Sequence, residues 1–193
     1  MKIVLASQSP RRRELLERIG IEEFEICPAT EEELAPEGLS PDRLVEYLSA
    51  DKARHVAGGF APEDIIIAAD TVVAVEGRIL GKPHSRQEAV EMLTLLSGRS
   101  HAVYTGVTVC RGDVTLTEHE RTRVTFRPLT AAEIEAYVDS KEPMDKAGSY
   151  GIQGLGSLLV EGIEGDYYNV MGLPVCRLGQ MLGKVGFDVL KRE

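Results

Sequence analysis

The sequence predicts an α/β fold: a mixed twisted sheet flanked by helices, built on one core or as two lobes around a central cleft. Three observations lead to this. Stretches of helical periodicity alternate with strand patterns along the whole chain, the arrangement expected when helices cover a sheet. Hairpin signals interrupt that alternation, so the sheet is not purely parallel. The 193 residues, 43% apolar and 27% charged, are enough to bury a real core in one domain.

The elements follow in order. Residues 2–6 read as a buried strand. Ser9 stands where a helix cap belongs, and Pro10 sits at the first helical position, where its missing N–H costs nothing. Leu15, Leu16 and Ile19 line one face of that helix, and Gly20 ends it. Residues 24–27 form a short strand. After an acidic loop, Ser40-Pro41 repeats the cap-plus-proline start of a second helix reaching about Gly58. Residues 64–70 contain five apolar residues in a row and read as a central strand covered on both faces. Residues 72–75 and 78–80 flank Glu76-Gly77, a hairpin signal. Ser85-x-x-Glu88 is a capping box for a third helix ending near Gly98. Residues 102–110 and 114–126 are long strands joined by Arg111-Gly112-Asp113, the second with one solvated face. Thr130-x-x-Glu133 caps a helix that turns Ile134, Tyr137 and Val138 inward. A glycine-rich loop over residues 148–156, a strand near 158–163 and a last helix over 174–185 complete the chain.

Composition excludes several classes. The net charge is −9, which argues against a general nucleic-acid binder, because such proteins carry a basic footprint. No apolar run approaches the roughly 18–20 residues of a membrane span, and the apolar start is too short for a secretory leader. Cys27, Cys110 and Cys176 are widely spaced, with no CxxC. They read as buried thiols of a reducing cytoplasm. The four histidines show neither HxH nor HExxH spacing, so no histidine metal site is expected.

Against this acidic background, Arg11-Arg12-Arg13 falls in the first turn of a helix. Each cation there costs roughly 0.3–1 kcal/mol against the helix dipole. A bound anion reverses that sign, because backbone N–H groups, dipole and guanidinium groups then all attract it. Ser7 and Ser9 add hydroxyls to the same turn. Arg11 and Arg12 share the inward edge of the helix, whereas Arg13 points elsewhere and suits a solvated face paired with Glu14 and Glu17. The turn has neither a GxxxxGK[ST] nor a GxGxxG pattern.

Asp70 follows the buried run Ile65-Ile66-Ile67-Ala68-Ala69 and precedes Thr71. A carboxylate at the carboxyl end of a central strand needs a cation, a metal or donors to offset its burial. It reads either as a turn or cap residue or as a general base or metal ligand. Lys52, on the second helix, and Lys82, in Gly81-Lys82-Pro83, are candidate charge partners. One of Glu31-Glu32-Glu33 is a candidate to share a divalent cation with Asp70. In the glycine-rich segment, Gln153 offers both a donor and an acceptor, which suits the imide or amide edge of a base. The glycines around it would let the backbone approach a ligand closely.

The ordered set of these segments resembles the Maf family of nucleoside triphosphate pyrophosphatases over residues 3–185. The residues that carry the resemblance are Ala6-Ser7-Gln8-Ser9-Pro10-Arg11-Arg12, Ala69-Asp70-Thr71, Gly81-Lys82-Pro83, Ser97-Gly98-Arg99-Ser100-His101, Glu142-Pro143-Met144-Asp145-Lys146-Ala147-Gly148, Gly151-Ile152-Gln153-Gly154 and Gly165-Asp166-Tyr167-Tyr168-Asn169-Val170-Met171-Gly172-Leu173-Pro174.

The resemblance implies a single Maf-like domain over residues 1–193, in a fold like that of inosine triphosphatases. It also implies hydrolysis of a nucleoside triphosphate to the monophosphate and pyrophosphate, with Mg²⁺ or Mn²⁺, by a cytoplasmic homodimer. Asp70 then matches the acidic proton acceptor. Glu33, Lys52 and Lys82 match further catalytic positions, with Glu32 a rival for the place of Glu33. Glu33 and Asp70 are the implied metal ligands. Ser7, Arg11 and Arg12 match the triphosphate turn. Arg11, Thr71 and Gln153 resemble the signature of the subgroup acting on dTTP and UTP, and modified pyrimidine triphosphates are candidate substrates in a house-cleaning role. No nucleic-acid polymer or membrane is an expected partner. Two rival readings stay open at this point: a non-enzymatic nucleotide-binding regulator linked to cell division, and a phosphohydrolase that removes only the terminal phosphate.

Overall fold

A computed structural model describes residues 1–29 and 35–191. The elements run β1 (Ile3–Leu5), α1 (Pro10–Arg18), β2 (Glu25–Ile26), α2 (Pro41–Ala57), β3 (Ile65–Val75), β4 (Arg78–Leu80), α3 (Arg86–Leu96), β5 (Ser100–Arg111), β6 (Val114–Phe126), α4 (Ala131–Asp139), β7 (Val160–Glu164), α5 (Tyr167–Met171) and α6 (Val175–Lys184). Short 3-10 turns occupy Glu142–Asp145, Ala147–Ser149 and Gly154–Leu158. The strands form a seven-stranded sheet in the order β2-β1-β3-β5-β6-β7, with β4 beside β3. It is mixed: β1 pairs parallel with β2 and β3, whereas β3–β4 and β6–β7 are antiparallel.

The chain divides into two compact units. Unit 1 comprises Met1–Asp70, Thr105–Glu120 and Gly172–Glu193. Its strands alternate faces with the two-residue period. Val4, Ala6, Ile66 and Ala68 pack with Ala53 and Val56 of α2, while Ile3, Leu5, Ile65 and Ile67 are buried as well. Both faces of these strands are therefore covered, as their unbroken apolar run requires.

Unit 2 comprises Thr71–Tyr104 and Arg121–Met171. Its core joins Val73, Val75, Val103, Val124 and Phe126 of the sheet to Ala89, Leu93 and Leu96 of α3 and to Ile134, Tyr137 and Val138 of α4. His101, Phe126 and Tyr150 meet edge to face within it. Asn169 lies within α5 and anchors it: its Nδ2 donates to Val103 O at 3.0 Å and to Thr122 Oγ1 at 2.9 Å.

Several expectations are corrected. Asp70 does not end a strand, because the β-branched run Thr71-Val72-Val73 continues β3 to Val75. Glu76 and Gly77 both take positive φ, at 48° and 76°, which is the turn a two-residue hairpin needs. Ser9 and Ser40 stand at N-cap positions, but neither side chain makes a capping hydrogen bond. At α3, Ser85 accepts from Glu88 N, while Glu88 reaches back to the amide of His84 instead of Ser85. At α4 the capping box is complete. The cysteines are not uniformly buried: Cys110 is buried, Cys27 half-buried and Cys176 exposed. Cys176 falls off the inward stripe of Leu178, Met181 and Leu182 on α6. In the glycine-rich segment 148–156, residues 148–152 are buried, whereas 154 and 155 are exposed. No helix among the described residues is long and apolar enough to cross a membrane.

Candidate active site

Asp70 is placed by the sheet. It shares the two-residue period of Ile66 and Ala68, whose side chains meet α2. On α2, Lys52 donates from Nζ to Asp70 Oδ1 at 2.5 Å. Both side chains are only 13% exposed, so the charges neutralise each other in a poorly solvated place where either alone would be costly.

Two features bring α2 close enough for this contact. Gly106 of β5 lies directly under the helix, where a Cβ would collide with the carbonyl of Val45 and come within 2.8 Å of Glu46 N. One turn before Lys52, Ser49 Oγ lies 3.0 Å from Thr108 Oγ1, which lies 3.0 Å from Thr117 Oγ1. A glycine inside a strand marks such a close approach, and that signal was present in the sequence.

The turn before α1 has its own network. Ser7 is buried. Its Oγ accepts from Ser9 N at 3.2 Å and from Arg12 Nη1 at 3.0 Å. Arg12 Nε donates to the carbonyl of Gly172 at 2.8 Å. Arg12 is thus braced on both sides, and Ser7 orders the turn through a local side-chain bond. Arg11 is half-buried beside it. The Ser9 hydroxyl is not spent on capping, and the first turn of α1 holds no acidic residue, so the terminus keeps its preference for an anion. Arg13 pairs with Glu17 on the exposed face at 3.1 Å, as its position on the helix implied.

In unit 2, Thr71 is half-buried on β3, Lys82 is exposed and Gln153 is half-buried. The loop carrying Lys82 is fastened by Gly148, whose amide donates to the carbonyl of Gly81 at 3.0 Å. Gly148 takes φ 68°, and a Cβ there would meet Val73 Cγ2 at 2.7 Å. Gln153 stands at the entry to the turn Gly154–Leu158. The glycines around it approach protein groups: Gly151 lies against the Lys146 stem, Gly154 against the Glu142 carboxylate and Gly156 against the carbonyl of Gly151 and the Tyr137 hydroxyl. Sequence reasoning assigned those glycines to a ligand and missed Glu142, Tyr137 and Lys146. The spacing of Gly151, Gly154 and Gly156 was the available signal.

Glu33, and its rival Glu32, lie outside the described residues. Among the described residues, no three His, Cys, Asp or Glu side chains come together as a metal-holding group. Asp70 still fits the chemistry of a divalent cation that arrives with a triphosphate. Such an ion takes one or two carboxylate ligands and fills its shell with phosphate oxygens and water.

A mixed sheet flanked by helices, with a carboxylate paired to a helix lysine and a basic helix terminus that prefers an anion, defines an α/β protein with a candidate anion site. The family profile described as "Maf-like protein" matches residues 2–185, and the chain belongs to that family. It is 54% identical over 188 residues to a protein of Bacillus anthracis named "dTTP/UTP pyrophosphatase", covering 97% of each chain. It is also 54% identical over 194 residues to one of the same name from Moorella thermoacetica, covering 99% of this chain and 98% of that one. Among solved structures, a HAM1 protein from Coxiella burnetii superposes with a TM-score of 0.51 at 18% identity, over 95% of this chain and 99% of that one. That likeness concerns the fold alone.

Proposed function

We propose that this protein is a pyrophosphatase of dTTP and UTP, releasing the nucleoside monophosphate and pyrophosphate. The observation that carries the reading is the Asp70–Lys52 pair, a carboxylate fixed by a sheet and a lysine fixed by a helix. The names of the Maf-like relatives supply the substrate.

In the proposed reaction, a water oxygen attacks the α-phosphorus and the bond from that phosphorus to the α,β-bridging oxygen breaks. Pyrophosphate leaves, and Asp70 takes the proton lost by the water. Positioning and charge neutralisation supply most of the rate in such chemistry. Lys52 holds the Asp70 carboxylate in one orientation and adds a positive charge beside it. Arg11, the N-terminus of α1 and the Ser7 turn hold phosphate oxygens, with Arg12 as the brace of that turn and a second cation. Lys82 offsets the charge of the leaving pyrophosphate. Gln153 reads the imide edge of thymine or uracil through its paired donor and acceptor, and Thr71 adds a hydroxyl contact to the substrate. A divalent cation, Mg²⁺ or Mn²⁺, held by Asp70 and Glu33, supplies further charge neutralisation on the phosphates when bound. Modified pyrimidine triphosphates that keep the imide edge are substrates in the same reading, consistent with clearing the nucleotide pool. We further propose a cytoplasmic homodimer.

The test is product analysis with purified protein, a panel of nucleoside triphosphates and added Mg²⁺ or Mn²⁺. Pyrophosphate together with dTMP or UMP is the expected result. Orthophosphate with the diphosphate would show a terminal phosphohydrolase. Binding without turnover would favour the regulatory reading.

A further inference from the structure

Residues 142–158 form three 3-10 turns with Gln153 just before the third, and one carboxylate ties the first turn to the third. Glu142 Oε1 accepts from the Tyr137 hydroxyl at 2.9 Å and from Gly156 N at 3.1 Å. Glu142 Oε2 accepts from Leu155 N at 3.0 Å. The Tyr137 oxygen in turn accepts from Gly151 N at 3.1 Å. Lys146 Nζ closes the group from the other side, donating to Glu142 O at 2.5 Å and to Asp145 Oδ1 at 2.6 Å. Backbone amides on both sides of Gln153, at 151, 155 and 156, thus end on Glu142 or on the hydroxyl it holds.

The fit is tight. A Cβ at Gly154 would come within 2.7 Å of Glu142 Oε2, and one at Gly156 within 2.7 Å of the Tyr137 oxygen. Lys141, immediately before Glu142, takes a left-handed backbone at φ 63°, and buried Ser149 another at φ 60°. Such positions are costly for non-glycine residues and persist only where their surroundings hold them. Bonds from a carboxylate to backbone N–H groups are about twice as strong as neutral ones, so one side chain can fix a turn that no strand or long helix supports.

We propose that Glu142 is the positioning residue for base selectivity: it sets the backbone that presents Gln153, without touching the substrate. The proposal rests on Gln153 reading the base. Glu142→Gln keeps the size of the side chain but turns one acceptor oxygen into a donor facing an amide. Its expected effect is loss of about tenfold in the preference for dTTP over dCTP, expressed in KM, with kcat for dTTP within about twofold of wild type. Gln153→Ala loses the same preference, and the double variant is no worse than Gln153→Ala alone, because two residues acting as one unit are not additive. Amide hydrogen exchange at 155 and 156 rises in Glu142→Gln and not in Gln153→Ala.

An unchanged preference in Glu142→Gln, or losses that add in the double variant, overturns the proposal and leaves the Gln153 reading standing. An unchanged preference in Gln153→Ala overturns that reading and the proposal with it. Should Glu142→Gln fail to fold, Tyr137→Phe removes one hydroxyl from the same network and must shift the preference in the same direction.

Discussion

In unit 1, Asp70 stands on an eleven-residue strand and meets Lys52 from a seventeen-residue helix. The polar groups that seat that helix include the hydroxyls of Ser49, Thr108 and Thr117 and the contact of His119 Nδ1 with Glu46 Oε1 at 2.8 Å. In unit 2, Gln153 stands among short 3-10 turns whose amides end on Glu142 and Tyr137. The core beneath those turns holds His101 bonded to Tyr150. The first arrangement draws its accuracy from backbone ladders and close packing, which hold sites best. The second draws it from ionisable side chains. Unit 1 should therefore be most sensitive to added atoms, and unit 2 to the loss of its buried polar groups.

The largest expected effect tests the group that the strand of unit 1 holds. Asp70→Asn keeps the shape of the side chain and removes the proton acceptor. A general base contributes about 10²–10⁴-fold, so pyrophosphate release should fall by roughly 10³-fold. Circular dichroism should match wild type, because β3 does not depend on that carboxylate. Activity within tenfold of wild type would remove Asp70 from the role of base.

Next comes the seat of α2. Gly106→Ala places a methyl group against the backbone of Val45, which has no rotamer to yield. Overpacking of this kind costs about 3 kcal/mol, or roughly 6–12 °C in Tm for a chain of this size. The movement of α2 should also lower kcat through Lys52. A variant with unchanged Tm would show that close packing is not what places Lys52, and the contrast between the units would weaken.

The same contrast explains what the sequence could disclose. Periodicity and caps exposed the helices and buried strands, because those signals are local. Asp70 stood out as a charge after five apolar residues, and Arg11-Arg12-Arg13 as cations at the wrong end of a helix. The triad of Glu142, Tyr137 and Lys146 did not stand out. Tyr137 sits on α4, Glu142 on the first 3-10 turn and Lys146 just after it, and their joint purpose appears only when Gly151, Gly154 and Gly156 are seen folded against them. The close contact of Gly106 with Val45 spans 61 positions of sequence, so the glycine signalled an approach without naming what approaches.

The smallest expected effect concerns the acid sensitivity of unit 2. Burial pushes the His101 imidazole down from its ordinary value of 6.5 to about 4. Between those values the unfolded chain binds a proton that the folded chain does not. Stability therefore rises with pH across the window and is lost as pH falls through it. At about 1.4 kcal/mol per pH unit, the loss approaches roughly 3 kcal/mol near pH 4. Glu133, held down to about 2 by the Arg127 guanidinium, gives up its own contribution only as pH falls from its ordinary 4.5 toward 2. A melt series from pH 7 to 4.5 thus separates the histidine from Glu133, and the His101→Phe variant separates it from the other histidines. His101→Phe keeps a ring beside Phe126 and cannot titrate. It lowers Tm at pH 7, because the Tyr150 hydroxyl loses its partner, but it should flatten the fall of Tm with acid. Amide exchange sharpens the comparison further. Acidification should open Val103 and Val124, in the core that holds His101, in the wild type and much less in His101→Phe. Parallel slopes for wild type and His101→Phe would show that the acid sensitivity of unit 2 lies elsewhere than in this buried ring.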